Sequence, residues 1–264
     1  MPTTRVSLIK TEVHERVGWI TLDNSARRNA LSAALIDDLL MAFDDFQARR
    51  LPVVVLRAPR GSRVWSAGHD ITELPRHGRD PLGYDDPLEK ALRAVQHYPG
   101  VVVAMIEGSV WGGACDLVLT CDLVIGDSSC QFAITPAKIG LPYNVSGIQH
   151  FMSRLGMNRA KEMFVTGRPL DAHRANAWGL LNHLVESEVL ETFTAALAAD
   201  IASNSPLAIA AIKEQFRILD DARPVSAETF ERIQGLRRKV YDSADYTEGI
   251  EAFLEKRANV FHGE

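Results

Sequence analysis

The feature that most constrains this chain is a pair of short apolar runs, Pro52 to Ala58 (PVVVLRA) and Val101 to Ile106 (VVVAMI), each about the length of a strand. A strand with one wet face alternates apolar and polar residues. A strand that is apolar at consecutive positions must be covered on both faces, as in a parallel sheet layered with helices. Leu123 to Gly126 is a third, shorter run, and Val17 to Asp23 has strand composition ahead of a polar turn at Asn24-Ser25. Helical spacings lie between them. Ser32 is a plausible N-cap before Leu35, Ile36, Leu39, Leu40, Phe43 and Phe46, and Leu88, Ala91, Leu92 and Val95 repeat in the same way. Short buried strands alternating with helices predict an α/β fold. Beyond about Ser146 strand-like runs become scarce and amphipathic patterns accumulate at 160–165, 189–201, 207–219 and 229–240. A helical C-terminal region is therefore expected, packed on the first region or on a neighbouring subunit.

The 264 residues, 46% of them hydrophobic, suffice for one large domain or one domain with a smaller extension, divided here into 1–200 and 201–264. With 34 acidic against 29 basic residues the net charge is −5, which gives no electrostatic footprint for nucleic acid or an anionic membrane. A polyanionic ligand would have to be met by local groups. Met1-Pro2-Thr3-Thr4-Arg5 does not look like a signal peptide and no apolar run is long enough to span a bilayer, so a cytoplasmic protein is expected. Cys115, Cys121 and Cys130 lack CxxC spacing and read as reduced, buried thiols. The eight histidines are scattered, so no metal is expected. G-x-S-x-G, a Walker lysine, H-E-x-x-H and G-x-G-x-x-G are all missing from the sequence.

Two glycine-bearing segments stand out. In Trp65-Ser66-Ala67-Gly68-His69-Asp70-Ile71 an apolar lead-in breaks at a glycine, where backbone can approach a ligand closely or simply turn. In Glu107-Gly108-Ser109-Val110-Trp111-Gly112-Gly113-Ala114-Cys115-Asp116-Leu117 adjacent glycines follow a buried strand and would open a helix. Unpaired N–H groups at such a start suit an anion or an oxyanion; a tight strand-to-helix connection needs the same glycines.

Taken in order, A-G-x-D at 67–70, E-G-x-x-x-G-G at 107–113, Cys121-Asp122 and F-x-x-P-x-x-x-G-x-x-P at 132–142 resemble the enoyl-CoA hydratase/isomerase family, the crotonases. Asn29-Ala30-Leu31-Ser32, Ser205-Pro206-Leu207-Ala208 and 248–257 (EGIEAFLEKR) extend the likeness over nearly the whole chain. The resemblance implies a crotonase-type spiral of ββα units, a helical C-terminal trimerisation region, and a homotrimer or a dimer of trimers. It implies an acyl-CoA thioester substrate, with no cofactor beyond the CoA that is part of it. It further implies an oxyanion hole formed by the backbone N–H groups of His69 and Gly113, where one donor supplies roughly 3 kcal/mol. Ala30 and the stretch Ala67, Gly68, Asp70 and Ile71 would line the adenine and pantetheine path. Lys256, from its own or a neighbouring subunit, would reach phosphate, with Arg27 and Arg28 as lesser candidates of the same kind.

Hydratases of this family use two glutamates. Here Asp116 holds the first position and Pro136, which cannot move a proton, the second. Asp116 is equally at home as a pairing or capping residue near a helix start. Details such as Gly78-Arg79-Asp80-Pro81-Leu82, Tyr84-Asp85-Asp86-Pro87-Leu88 and Leu141-Pro142-Tyr143-Asn144 are instead similar to family members that decarboxylate short malonyl-type CoA thioesters. The expected reaction is then methylmalonyl-CoA to propionyl-CoA through an enolate. Tyr143 would sit beside the substrate carboxylate, with Thr135 near the same pocket. The competing readings are hydration, isomerisation or thioester hydrolysis on the same fold, and non-catalytic binding of acyl-CoA or RNA.

Overall fold

The computed structural model describes residues 6–76, 79–222 and 225–264; the Met1–Arg5 start and Gly78 of the 78–82 stretch lie outside the described residues. The chain opens with an antiparallel hairpin, β1 (Ile9–His14) and β2 (Val17–Leu22), and crosses by α1 (Ala33–Ala48) to β3 (Val53–Arg57). From there one move is made three times: a strand in a large sheet, a short strand in a small one, then a helix. The three turns are β3, β4 (Val64–Ser66) and α2 (Pro87–His97); β5 (Val101–Ile106), β6 (Ser109–Trp111) and α3 (Gly113–Thr120); and β7 (Leu123–Asp127), β8 (Gln131–Ala133) and α4 (Val145–Leu155). This is the expected spiral of ββα units. The chain continues through α5 (Met157–Thr166), β9 (Leu170–Asp171), α6 (Ala172–Trp178), β10 (His183–Val185), α7 (Leu190–Ser203), α8 (Pro206–Asp221), α9 (Ala227–Tyr241) and α10 (Ala244–Glu255).

The large sheet runs β1-β2-β3-β5-β7-β10, parallel after the first pair, and the small one β4-β6-β8-β9. Strands β9 and β10 lie in the region the sequence reads as helical. Each has three residues or fewer, and long-range pairing rather than local pattern makes them strands. The apolar runs are covered on both faces, as their composition demands. Val54, Leu56, Val102, Ala104 and Ile106 join the main core with α1 and α2, while Val53, Val55, Val103 and Met105 pack against Leu190, Ala198 and Ala202 of α7. Ser32 caps α1, its side chain accepting from Leu35 N at 3.3 Å. Cys115, Cys121 and Cys130 are free and buried.

The last three helices differ from one another. α9 and α10 bring Tyr241, Tyr246 and Ile250 against Leu74, Leu82, Leu141 and Tyr143, forming a small core over the loops that follow β4 and β8. α8 stands off, with Leu207, Ile212, Phe216 and Leu219 exposed. Among the described residues no single helix is long and apolar enough to cross a membrane; α7 and α8 reach that apolar length only together, bent by 103°, and α7 lies on the sheet.

Candidate active site

The first wall of the site is the turn after β4. Gly68 has φ +84°, and a Cβ there would lie 2.3 Å from the Trp111 carbonyl oxygen, so this chain crossing requires glycine. The crossing brings Ala67 to Asp70 against Arg28 to Leu31: Ala67 N donates to Arg28 O at 2.9 Å and Leu31 N to Gly68 O at 2.8 Å. Ala30 and Ala67 are thus half-buried on two adjoining stretches of chain, with Ile71 opening the next turn. Asp70 caps that turn through Thr72 N at 3.1 Å, and its other oxygen lies 3.3 Å from Arg27.

The second wall is the start of α3. Gly112 has φ +51° and ψ −126° and turns the chain from β6 into a helix that begins at Gly113. A Cβ on Gly113 would lie 3.6 Å from His69 N, so the two amides predicted to act together are neighbours. Among the described residues neither N–H donates to an acceptor, whereas the adjacent Gly112 N is bonded to Ala133 O. Thr135 lies beside them, its Oγ1 3.9 Å from a Cβ placed on Gly112. Two unpaired N–H groups, one at a helix N-terminus, can stabilise a negatively charged oxygen.

His69 holds its loop by both ring nitrogens. Nε2–H donates to Asp86 Oδ2 at 3.1 Å and Nδ1–H to the Asp70 carbonyl at 3.2 Å. Burial works to lower its pKa, but the hydrogen bond and charge of Asp86 outweigh it and the net shift is upward. Asp86 is fixed in turn as the N-cap of α2, accepting from Leu88 N ahead of Pro87. The loop is tied from outside by Arg237 of α9, bidentate to Asp80 at 2.5 and 2.6 Å.

The third wall was largely missed by sequence reasoning. Asp116, three residues into α3 from Gly113 and so on the same helix face, is 1% exposed and bonded on both oxygens. Oδ2 accepts from the Tyr143 hydroxyl at 3.0 Å and Oδ1 from His150 Nδ1–H at 2.8 Å. His150 Nε2 meets the Gln96 side-chain amide at 2.9 Å. Glu89 of α2 accepts from Asn144 at 2.5 Å and from Ser146 at 3.3 Å. Burial raises the Tyr143 pKa well above the ordinary phenol value and the Asp116 charge adds to it; burial also raises Glu89. For His150 burial acts downward, but Asp116 prevails through hydrogen bond and charge, and the net shift is upward. Two local signals mark this wall: the Asp86-Pro87 helix start, and the Asn144 cap of α4 that puts Gly147 and His150 on one face.

Pro136 is buried at the start of a 3-10 turn, Pro136–Ile139, and has no group that could act as an acid or base. Lys256 is exposed at the C-terminus of α10, φ +57°. The Asp122 carboxylate accepts from Val102 N at 2.7 Å and from Lys213 at 2.8 Å, so the Cys121-Asp122 motif serves the scaffold. Among the described residues no three His, Cys, Asp or Glu side chains are grouped to hold a metal ion.

A ββα spiral with two unpaired amides beside a glycine-opened helix start defines an α/β protein with a candidate oxyanion site. The chain belongs to the enoyl-CoA hydratase/isomerase family, whose sequence profile matches residues 12–264. It is 48% identical to methylmalonyl-CoA decarboxylase of Escherichia coli strain K12 over 94% of this chain and 95% of that one. It is 29% identical to a probable mitochondrial enoyl-CoA hydratase of Dictyostelium discoideum, over 96% and 90%. A solved structure of methylmalonyl-CoA decarboxylase in complex with 2-nitronate-propionyl-CoA superimposes with a TM-score of 0.96 at 46% identity, covering 98% of this chain and all of the other.

Proposed function

We propose that this protein is a carboxy-lyase that converts methylmalonyl-CoA to propionyl-CoA and CO2, using no metal and no cofactor beyond the CoA of its substrate. One observation carries the choice of decarboxylation over hydration. Asp116, one helical turn from Gly113, is bonded on both oxygens, and Pro136 holds the position where the family resemblance implies the second glutamate of a hydratase. Water therefore meets no free carboxylate pair. The 48% identity to the E. coli decarboxylase, against 29% to the Dictyostelium hydratase, supports the same choice.

The chemistry asks for geometry more than for side-chain acids. The thioester oxygen lies between the N–H groups of His69 and Gly113, which take up the charge as it grows. The Tyr143 hydroxyl turns from Asp116 to the substrate carboxylate and, with Thr135, holds the breaking C–C bond roughly perpendicular to the carbonyl plane. Its electrons then enter the C=O and leave an enolate. The ring of Tyr143, stacked edge-on with Phe164 and packed among Leu82, Leu141 and Ile250, gives the carboxylate an apolar wall that favours neutral CO2. Ala30, Ala67, Gly68, Asp70 and Ile71 line the CoA path, and Lys256 reaches phosphate. Residues 201–264 mediate assembly as a homotrimer or a dimer of trimers, and the buried free thiols suit a reducing cytoplasm.

The test is mass spectrometry of a metal-free incubation with methylmalonyl-CoA, beside malonyl-CoA and crotonyl-CoA. The blank is a folded Gly113→Pro variant, which lacks one amide N–H at a helix position that tolerates proline. Propionyl-CoA from the native protein, with a loss of roughly 10²-fold in the variant, is expected. Unchanged methylmalonyl-CoA beside hydrated crotonyl-CoA would replace this reading with hydration.

A further inference from the structure

Decarboxylation consumes one proton, because the enolate carbon must be protonated after CO2 leaves. We infer that the chain His150, Asp116, Tyr143 delivers that proton, with Tyr143 as final donor and His150 as the member recharged from water. This rests on the decarboxylase reading and adds the proton source that the reading lacks.

The three side chains come from separate elements and form one continuous path, His150 Nδ1 to Asp116 Oδ1 at 2.8 Å and Asp116 Oδ2 to Tyr143 Oη at 3.0 Å. The inner end lies at the site, since Asp116 stands one helical turn from Gly113 on the same face. Its outer end lies in a groove of about 990 Å³ walled by α2, α4 and α9, where His150 sits among Glu89, Arg93, Gln149 and Gln234. Asp116 and Tyr143 are nearly sealed from solvent while the His150 side chain is 16% exposed, so water reaches the path from that end. Gln96 suits a residue that alternates between charged and neutral forms. Its amide can accept from Nε2–H of the imidazolium or, turned over, donate to Nε2 of the neutral ring.

The step balances. The C–C bond breaks and its electron pair enters the enolate, and CO2 departs. The hydroxyl that held the carboxylate now faces the carbon it left. Asp116 has by then taken the His150 Nδ1 proton and, by rotation of its carboxyl group, turned it toward Tyr143; as the enolate electrons form the new C–H bond with the Tyr143 proton, that carboxyl proton passes to Oη and Asp116 is again a carboxylate. His150 becomes neutral imidazole and is recharged by water. The last two transfers are concerted, because a free phenolate is disfavoured in this buried position. The proton arrives on the face that CO2 vacated, so configuration is retained.

His150 faces Asp116 of α3, Glu89 of α2 and Asp220 of α8, carboxylates that all favour its charged form. The path is loaded below its raised pKa and empties as pH rises through it. Turnover should therefore fall on the alkaline side. The experiment compares native protein with His150→Asn, and with His150→Gln should the first fail to fold by circular dichroism. For the variant a fall of roughly 10²-fold in kcat is expected, with KM within about twofold and the alkaline limb abolished. The longer-lived enolate should also recapture more labelled CO2 into the remaining methylmalonyl-CoA. In D2O the native protein should place deuterium with retention. A variant with native kcat and an intact alkaline limb, or deuterium from the native protein on the opposite face, would overturn the path. Native protein that forms no propionyl-CoA would defeat the decarboxylase reading itself, and the path with it.

Discussion

At the scale of single residues, the site is a set of backbone atoms placed by glycines and held by charges. Gly68→Ala would set a methyl 2.3 Å from a carbonyl oxygen in a backbone conformation with φ +84°. A loss of about 2 kcal/mol or more is expected, read from the urea midpoint, together with loss of the oxyanion geometry. His69 makes a pH-dependent contribution. Its folded pKa is raised, so its pairing with Asp86 stabilises the fold fully below the unfolded value of about 6.5 and is lost as pH rises through the folded value. Asp86→Asn should therefore cost roughly 1–3 kcal/mol at pH 6 and little in alkali, in urea titrations at both pH values. The glycine segments were legible in the sequence because their chemistry is local: a turn or helix start needs glycine whatever surrounds it. His150, Glu89 and Asn144 were not, because their partners lie 34 and 55 residues away and only helix packing brings them together. A histidine on an amphipathic helix carries no mark of what it will face.

Among the elements, the paired strands β3 and β5 were readable from apolar runs, and α1 from its cap and stripe, because burial on one or both faces leaves a periodic trace. β9 and β10 leave none. The Cys121-Asp122 motif, read as a family mark, proves to be a scaffold joint. Lys213 of α8 donates to Asp122 at 2.8 Å and to the carbonyls of Gly100 and Val95 at 3.0 and 3.1 Å, so one ammonium ties α8 to the end of α2 and to the start of β5. Its side chain is 14% exposed. Lys213→Met keeps the apolar stem and leaves a carboxylate and two carbonyls short of a donor. The expected cost is roughly 1–3 kcal/mol, seen as a lower urea midpoint with unchanged slope.

For the whole molecule the question is what covers α8. Ile212, Phe216 and Leu219 are 52%, 71% and 68% exposed and lie on one face of the helix, an apolar stripe presented to water. Their i, i+4, i+7 spacing is helical, so the pattern read in the sequence is a true amphipathic face. A second copy of the chain is the partner we propose, in the trimeric or hexameric assembly the family resemblance implies. Charge placed in that face would have to be desolvated at each interface, at a cost that a ring of identical contacts multiplies. Phe216→Asp with Leu219→Asp should therefore shift the sedimenting species from a multiple of the 29.1 kDa chain toward the single chain. Far-UV circular dichroism should stay unchanged, because neither side chain belongs to the described core clusters. If the double variant kept the native mass, the α8 face would be excluded as the assembly surface.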